Sequence, residues 1–164
     1  SGCGGDKRLG GERLLGSPWE FRAVPGGDAV ADAGVLGRRR RDPENVILAI
    51  DRDAGEGLAS VAGVRRIERE KMRHYASIWG VYTSPDARRR GHARTLMDAA
   101  IALARTWGGV EMIEIGVSAN APSAQRLYES LGFVAWGREP RVTRVGQNTY
   151  DEIHLALALT PDGG

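Results

Sequence analysis

Short apolar segments separated by polar turns occupy the middle of the chain, and this pattern predicts three neighbouring β-strands. Residues 46–50 form an apolar run, residues 51–57 form a polar turn, and residues 58–67 supply a second strand. A polar connection leads from there to residues 75–83, which are rich in β-branched and aromatic side chains. Because short polar connections join antiparallel neighbours, we expect the three strands to form a meander.

Beyond the third strand, the apolar residues follow the spacing of an α-helix and predict a long helix that Gly108-Gly109 ends. Residues 111–117 alternate apolar and polar side chains, as a strand does. A second helix is predicted from Pro122, which a first helical turn tolerates, to Gly132. The apolar stripes are Ala93, Leu96, Met97, Ala100, Leu103, Ala104 and Trp107 in the first helix, and Ala124, Leu127, Tyr128 and Leu131 in the second.

The last segments predict a mixed sheet with helices packed on it. Residues 133–136 and 150–159 are predicted as strands, joined by a basic, polar connection over 138–148. The element order is therefore an antiparallel meander followed by β-α-β-α-β-β. We expect a fold of the α/β class, with an α+β mixed sheet as its single layer of strands.

The start of the chain has weaker patterns. Residues 1–11 are rich in glycine and polar residues, and we expect a flexible N-terminal segment there. Short helices are predicted over 12–15 and 30–41, with a loop over 21–32. A chain of 164 residues has the length of one domain, so residues 12–160 are predicted to form a single domain.

Composition excludes several classes of protein. With 41% hydrophobic and 27% charged residues, the chain is neither disordered nor fibrous, and no apolar run is long enough to span a membrane. One cysteine, Cys3, can form neither an internal disulfide nor a thiolate cage, so we expect a cytoplasmic protein without a metal. A net charge of +2 is too small to argue for a nucleic-acid partner. The arginines instead cluster at 38–41 and 88–90.

The segment over residues 81–94 predicts a site for an anion. A strand ends before Pro85, a loop with three arginines and Gly91 follows, and the long helix begins there. The first amide groups of a helix lack partners and carry partial positive charge, and guanidinium groups beside them favour phosphate. An ordinary loop with solvated arginines is the alternative interpretation.

Two motifs resemble the GNAT family of N-acetyltransferases. The spacing Arg88-x-x-Gly91-x-Ala93 is similar to the family's acyl-CoA signature, and residues 123–133 are similar to its A-x-x-L-Y-x-x-L-G-F stretch. The resemblance covers roughly residues 45–158. It implies a GNAT-like fold with a splayed central pair of strands, acetyl-CoA as co-substrate, an amine as acceptor and, as is frequent in the family, a homodimer.

The resemblance implies where acetyl-CoA would bind. The pantetheine arm would pair with the backbone near Val81 and Thr83, and the free amide of Val81 or Tyr82 would polarise the thioester carbonyl. Ala121 stands where the family often has an asparagine, so we expect Asn120 either to contact the pantetheine or to cap the second helix. The other residues expected to bind the cofactor are Ser123 and, around the diphosphate, Arg88, Arg89, Arg90, Gly91, His92, Ala93 and Arg94.

The resemblance also implies a general acid, but it leaves the general base open. Tyr128 would protonate the sulfur of the departing coenzyme A, although its place in an apolar stripe also fits a core residue. Trp79 stands where several members of the family carry a glutamate that acts as the general base. Glu152 and His154 have the same strand parity and would face one side of the sheet. The candidates to replace that base, besides a chain of water molecules, are Glu114, Glu152, His154 and His74.

Three functions are compatible with these features. The first is an N-acetyltransferase in which an amine attacks acetyl-CoA directly in a ternary complex. The second is an acyl-CoA sensor without catalysis, which Trp79 in place of the base favours. The third is an arginine-rich nucleic-acid-binding module, which the small net charge argues against. We expect the first, with acetyl-CoA and an amine as partners and no nucleic-acid or membrane partner.

Overall fold

The computed structural model describes most of the chain beyond its first third. The expected flexible segment 1–11, the helix 12–15 and the loop 21–32 lie outside the described residues, and the boundaries of the domain over 12–160 stay a prediction. The described residues are 38–39, 43–52 and 57–159.

Seven strands and two helices occur in the described part of the chain. Two short turns of 3₁₀-helix, Glu70–Met72 and Pro85–Ala87, stand on either side of the fourth strand. Neither helix has the length and apolar character that crossing a membrane requires. In chain order the elements are β1 (Arg38–Arg39), β2 (Asn45–Asp51), β3 (Leu58–Arg66), β4 (Tyr75–Thr83), α1 (His92–Arg105), β5 (Met112–Ser118), α2 (Pro122–Ser130), β6 (Val134–Val145) and β7 (Asn148–Ala158).

The strands form one mixed sheet in the order β1-β2-β3-β4-β5-β7-β6. Strands β1 to β4 are antiparallel neighbours, and β7 is antiparallel to both β5 and β6. The pair β4–β5 is parallel and is connected through α1, as a parallel pair requires a crossover. The predicted α/β fold, a meander followed by β-α-β-α-β-β, is therefore confirmed.

The core lies between the helices and one face of the sheet. Helix α1 buries its stripe of Leu96, Met97, Ala100 and Ala104 completely. The other face of α1 is polar, so burial of this stripe positions the helix. Alternate residues of the central strands complete the core, among them Val64, Ala76, Ile78, Ile113, Ile115, Val117 and Leu155. Because strand side chains alternate, the residues between them lie on the opposite face of the sheet.

The central strands part halfway along their length. β4 and β5 pair only from Tyr75 and Met112 to Ile78 and Ile115. Beyond this point β4 continues along β3 to Thr83, whereas β5 continues along β7. The predicted splay of the central pair is therefore present in the fold.

A β-bulge lies where β4 leaves β5. The register of β4 against β3 shifts between the Trp79–Gly63 and Tyr82–Val61 pairs, so that β4 carries one extra residue next to Gly80. Gly80 has a φ of 60°, a left-handed conformation that glycine adopts without strain. The ring of Trp79 lies directly on Gly63, because a Cβ atom there would lie 2.2 Å from Trp79 Cε2. The bulge and the indole ring together shape this end of β4.

The prediction of a helix over 30–41 is wrong where the structure describes that segment. Arg38 and Arg39 form β1, which pairs with Ile47 and Val46 of β2. Backbone groups at the edge of β2 gain partners in this way. Local apolar spacing carries no information about such a distant partner.

The prediction of a connection over 138–148 is also wrong. β6 runs without a break to Val145 and turns through Gly146-Gln147 into β7. β6 is the last strand of the sheet and most of its side chains are exposed, which is why it carries so many polar residues. A bulge between Glu139 and Thr143 interrupts its register with β7.

The carboxylate of Asp151 holds this bulge in β6. It accepts the backbone N–H of Arg141 over 2.9 Å and the Nε–H of Arg138 over 2.7 Å. Arg141 has a φ of 58°, so the bulge places a non-glycine residue in the left-handed region. Both bonds lower the pKa of Asp151, and the bond from the Arg141 amide has the larger effect.

An ion pair fixes the loop between β4 and α1. Arg52, just after β2, donates from Nη2 to Asp86 Oδ1 over 2.9 Å and to Ser84 Oγ over 3.2 Å. Its Nη1 atom forms an ion pair with the same carboxylate. Buried Ser60 donates to the carbonyl of Tyr82 over 2.9 Å, so β3 holds the end of β4 as well. Hydrogen bonds lower the pKa of Asp86 to about 2; the bond from Arg52 has the largest effect, and one from Ser84 has the next largest.

This ion pair predicts a pH dependence of stability. The pKa of Asp86 falls from 3.8 to about 2 on folding, so its stabilising effect is complete above about pH 5 and is lost as the pH falls through 2. Asp86→Asn should therefore unfold at a lower temperature than the wild type at pH 7, and this difference should shrink to a small fraction of its value near pH 2. Thermal unfolding from pH 2 to 7 measures this difference.

Arg52→Gln is the partner variant for that experiment. Because the two side chains act as one pair, removing either of them should abolish the same interaction. The double variant should therefore lose less stability at pH 7 than the two single variants lose together. Additive losses, or a wild-type advantage that is undiminished at pH 2, would contradict the assignment.

Candidate active site

A cleft of about 1200 Å³ opens where β4 and β5 separate. Its walls are the second half of β4, the loop after it, the start of α1, the second half of β5, and parts of α2, β6 and β7. The strand backbones on either side of the gap still pair with β3 and β7, so the gap is part of the fold. The cleft can therefore take an extended ligand between the two strands.

The loop at one end of the cleft has two residues in the left-handed region. Arg89 has a φ of 63° and Gly91, the N-cap of α1, has a φ of 77°. A Cβ atom on Gly91 would meet nothing within 4 Å, so the space beside it is open to a ligand. The first amides of α1, from His92 to Arg94, have no carbonyl of their own helix to bind. Together with the helix dipole, they form an anion site.

Arginine side chains surround this anion site. Arg88, Arg89 and Arg94 line the cleft, but Arg90 does not. Arg88 donates from Nε to the carbonyl of Thr83 over 3.2 Å, and Arg94 donates to Ser130 Oγ over 2.6 Å. Both side chains are therefore oriented by neighbouring elements.

One further arginine at the cleft was not predicted from the sequence. Arg126 of α2 also lines the cleft, three residues after the predicted Ser123. Residues three apart lie on the same side of a helix, so the position of Ser123 could have indicated Arg126.

The predicted strand residues divide between the two faces of β4. Val81 and Thr83 line the cleft, whereas the side chain of Tyr82 is buried away from it. This alternation is what an extended strand produces after the bulge. A role for Tyr82 is therefore confined to its backbone.

Asn120 is neither part of the cleft wall nor the cap of α2. The N-cap of α2 is Ala121, and no side chain bonds to that end of the helix. The backbone N–H of Asn120 instead donates to Ser118 Oγ over 3.3 Å. The expectation that Asn120 caps the helix is wrong, because the helix begins one residue later; Ala121 and Ser123 line the cleft in its place.

Tyr128 is both a core residue and part of the cleft wall. It is 4% exposed, belongs to the main apolar cluster and packs against Phe133 with ring centroids 6.3 Å apart. It also lines the cleft from α2. The two interpretations of this residue from the sequence are therefore compatible with each other.

Three of the four candidate bases face the cleft. Glu114, Glu152 and His154 line it, from the face of the sheet opposite the core. His74 precedes β4 at the other end of the strand, where its carbonyl accepts the amides of Glu111 and Met112. The geometry therefore removes His74 from the candidate bases.

Glu152 and His154 belong to a cluster at the β5, β6 and β7 side of the cleft. His154 Nε2 is 3.0 Å from Glu139 Oε2, and its Nδ1 is 3.9 Å from Glu152 Oε1. The indole of Trp136 stacks on the His154 ring at a centroid distance of 5.5 Å and is 66% exposed. Glu139 was missed because only the continuous β6 brings it to this place.

Gly116 makes room for the Glu152 carboxylate. It is the first residue of β5 beyond the last pair with β4, and a Cβ atom on it would lie 2.2 Å from Glu152 Oε1. The carboxylate therefore lies at the point where the two central strands part. It is buried there, on the face of the sheet that lines the cleft.

The two sides of the cleft carry opposite charge. The loop and helix side presents Arg88, Arg89, Arg94 and Arg126, whereas the β5 and β7 side presents Glu114 and Glu152. Arg65 on β3 is a further cation along the wall. An anionic ligand group is favoured on the first side and a cationic one on the second.

Comparison with known proteins agrees with this architecture. Residues 13–133 match the model of the "Acetyltransferase (GNAT) family". No curated protein sequence matches the chain. Solved structures with the same fold are numerous, and three of them illustrate the likeness.

An acetyltransferase of the GNAT family from Streptococcus pneumoniae superposes with a TM-score of 0.65 at 18% identity, covering 72% of this chain and 69% of that chain. The yncA protein of Salmonella typhimurium, solved with its cofactor acetyl-CoA, gives a TM-score of 0.63 at 20% identity, with 74% and 69% covered. The ribosomal-protein-S18-alanine N-acetyltransferase of Escherichia coli gives 0.61 at 23% identity, with 73% and 72% covered.

The family model spans well over half of the sequence and includes the loop, α1 and α2 that line the cleft. The chain belongs to the acetyltransferase (GNAT) family of acyltransferase enzymes.

Proposed function

We propose that the protein transfers the acetyl group of acetyl-CoA to a primary amine of a small molecule or peptide, by direct attack in a ternary complex. The observation that carries this proposal is the separation of β4 from β5 beside an arginine-rich loop that leads into α1. A gap between strands fits an extended pantetheine arm, and the helix start fits a diphosphate. The Salmonella neighbour that holds acetyl-CoA has the same fold, which supports the choice of donor.

The diphosphate would bind at the mouth of α1. The amides from residue 89 to 94 supply hydrogen bonds, and Arg88, Arg89 and Arg94 supply charge from the cleft wall. Because the loop is fixed by Arg52 and Asp86, these amides are oriented before any ligand arrives. An oriented site loses little conformational entropy on binding.

The backbone of β4 would hold the pantetheine and the thioester. Val81 and Thr83 border the cleft, so their backbone groups on the β5 side are placed to pair with amides of the pantetheine. The amide of Val81 or Tyr82, next to the bulge, would polarise the thioester carbonyl. The residues from 79 to 83 thus orient the donor, and this orientation accounts for much of the acceleration in a direct transfer.

Tyr128 would act as general acid. When the neutral amine attacks, the C–N bond forms and the C–S bond breaks, the nitrogen loses a proton and the sulfur gains one. The hydroxyl of Tyr128 is a donor on the cleft wall, and its ring is held by Phe133 and the core. A rigid donor of this kind can protonate the leaving sulfur without reorganisation.

Glu152 is the better placed of the two carboxylates proposed as general base. It is buried beside Gly116 at the point where the strands part, whereas Glu114 is level with Ser77 in the paired part of β4 and β5. Trp79 borders the same space from β4 and cannot itself accept a proton. A cytoplasmic location, a homodimer, and the absence of metal, membrane and nucleic-acid partners stay predictions from the sequence.

Acetyl-CoA turnover tests the proposal directly. Acetyl-CoA at about 100 times its Kd should stabilise the protein by about 2.7 kcal/mol in thermal unfolding. A thiol-release assay with polyamines, aminoglycosides, amino acids and peptide N-termini should then give turnover with at least one amine. Stabilisation without turnover by any amine would favour the acyl-CoA sensor, and nucleic-acid binding that falls steeply with salt would favour the third function.

Gly91→Ala should weaken the binding of coenzyme A at least tenfold, because a Cβ atom there strains the loop and enters the space meant for the diphosphate. Gly109→Ala is the matched control, since Gly109 has a φ of 81° at the other end of α1 and is equally open. Both variants should lose about 1–2 kcal/mol of stability, but only Gly91→Ala should change the Kd measured by calorimetry. Equal Kd values in the two variants would show that the diphosphate does not bind at the loop that contains Gly91.

Tyr128→Phe should lower kcat about 100-fold and leave the Kd of coenzyme A unchanged, because the ring remains and only the acid is lost. Tyr75→Phe, at the far end of β4, is the control and should keep the wild-type kcat. Steady-state thiol release and calorimetry measure the two quantities. Wild-type turnover in Tyr128→Phe would exclude Tyr128 as the acid.

A further inference from the structure

The hydrogen bond between His154 and Glu139 determines which imidazole nitrogen carries the proton. A carboxylate only accepts hydrogen bonds, so at 3.0 Å from Glu139 the Nε2 atom of His154 must be the donor. In a neutral ring Nδ1 then holds a lone pair. That lone pair faces Oε1 of Glu152, which is itself an acceptor, at 3.9 Å.

Two acceptors that face each other cannot bond without a proton between them. The 3.9 Å separation is longer than a hydrogen bond, in agreement with this arrangement. A proton delivered to Glu152 would turn its carboxyl into a donor, and a side-chain rotation that closes the gap to hydrogen-bond distance would let it bond to His154. The pair can in this way receive a proton from the cleft.

The three side chains also form a graded path to the solvent. The side chain of Glu152 is 8% exposed, that of His154 is 27% exposed and that of Glu139 is 50% exposed. Glu152 lines the cleft beside Gly116, and Glu139 lies on β6, the last strand of the sheet. The path thus leads from the point where the central strands part to the outer edge of the sheet.

Neighbouring residues hold the imidazole in the path. Trp136 stacks on the ring with an angle of 29° between the planes, which restricts its tilt. Gly137 of β6 lies opposite His154 of β7 and, being a glycine, adds no side chain beside it. Trp136 is therefore a positioning residue for His154.

We propose that Glu152, His154 and Glu139 form a proton relay, an inference that rests on the acetyl-transfer activity proposed above. Glu152 takes a proton from the acceptor ammonium, whose N–H bond breaks as an O–H bond forms. It passes this proton to His154 Nδ1, while the Nε2 proton moves to Glu139. Glu139 releases it to water, and exchange of the ring protons with the solvent restores the first tautomer.

The relay operates among other charged groups that face the same side. Glu114 on β5 and Arg65 on β3 line the cleft wall and carry opposite charges. Asp151 and Arg138 bond to each other beside the bulge in β6, and neither lines the cleft. The pH dependence of the relay therefore belongs to the whole set of Glu114, Arg65, Glu139, Glu152 and His154.

His154→Gln tests the relay, because glutamine can still donate to Glu139 but cannot take up and pass on a proton. The rate of thiol release should fall at least tenfold, and added imidazole should restore part of it in proportion to its concentration. The Kd of coenzyme A should stay as in the wild type. His74→Gln, the same substitution outside the cleft, should keep the wild-type rate without any effect of imidazole.

Glu139→Gln tests the exit of the relay. The amide oxygen can still accept from Nε2 but cannot hold the proton, so the rate should fall severalfold and rise with buffer concentration, whereas the wild-type rate should be independent of buffer. Loss of both the rate and coenzyme A binding in His154→Gln, with no rescue by imidazole, would show a structural role and overturn the relay.

A divalent cation is the competing occupant of this cluster, because the ligand atoms of Glu139, Glu152 and His154 lie within 4.8 Å of one another. Loss of wild-type turnover in a chelator, and its return with added metal, would overturn the relay. A wild-type rate in His154→Gln would overturn the relay alone, whereas no turnover by the wild type with any amine would overturn the proposed function as well.

Discussion

Backbone amide and carbonyl groups need hydrogen-bond partners. The partners that β4 and β5 find after they part determine the rest of the structure. β3 continues to pair with β4 as far as Thr83, and β7 pairs with β5 as far as Ser118. Each strand therefore keeps one partner while its other edge turns to the cleft. A ligand with its own amide groups can pair with that edge, so the gap is a binding site formed by the sheet itself.

The same separation puts the proposed general acid and the proposed general base on different sides of the cleft. Tyr128 reaches the cleft from α2, on the core side, whereas Glu152 reaches it from β7, on the opposite face of the sheet. A donor and an acceptor on opposite sides of the gap cannot neutralise each other. In the proposed reaction they would act on the two ends of the reacting group: the sulfur that leaves and the nitrogen that attacks.

Sequence reasoning could predict the parts of this site that depend on local structure. The loop, the start of α1 and the position of Tyr128 on α2 follow from residues close together in the chain, and the structure places them together at the cleft. The path through Glu139 and His154 could not be predicted, because their meeting depends on the register of β6 against β7. The exposed, polar β6 lacks the alternation by which strands are identified, so its register was beyond the reach of the sequence.

Local departures from strand preferences nevertheless mark the site. Glycine weakens a strand, yet one lies in each of β3, β4 and β5 near the point where the central pair separates. Gly63 lies under the Trp79 ring, Gly80 forms the bulge, and Gly116 lies under the Glu152 carboxylate. At Gly63 and Gly116 a side chain would displace a group that lines the cleft, and at Gly80 the φ of 60° favours glycine. Residues that oppose the stability of the sheet are thus found where the sheet must bind a ligand.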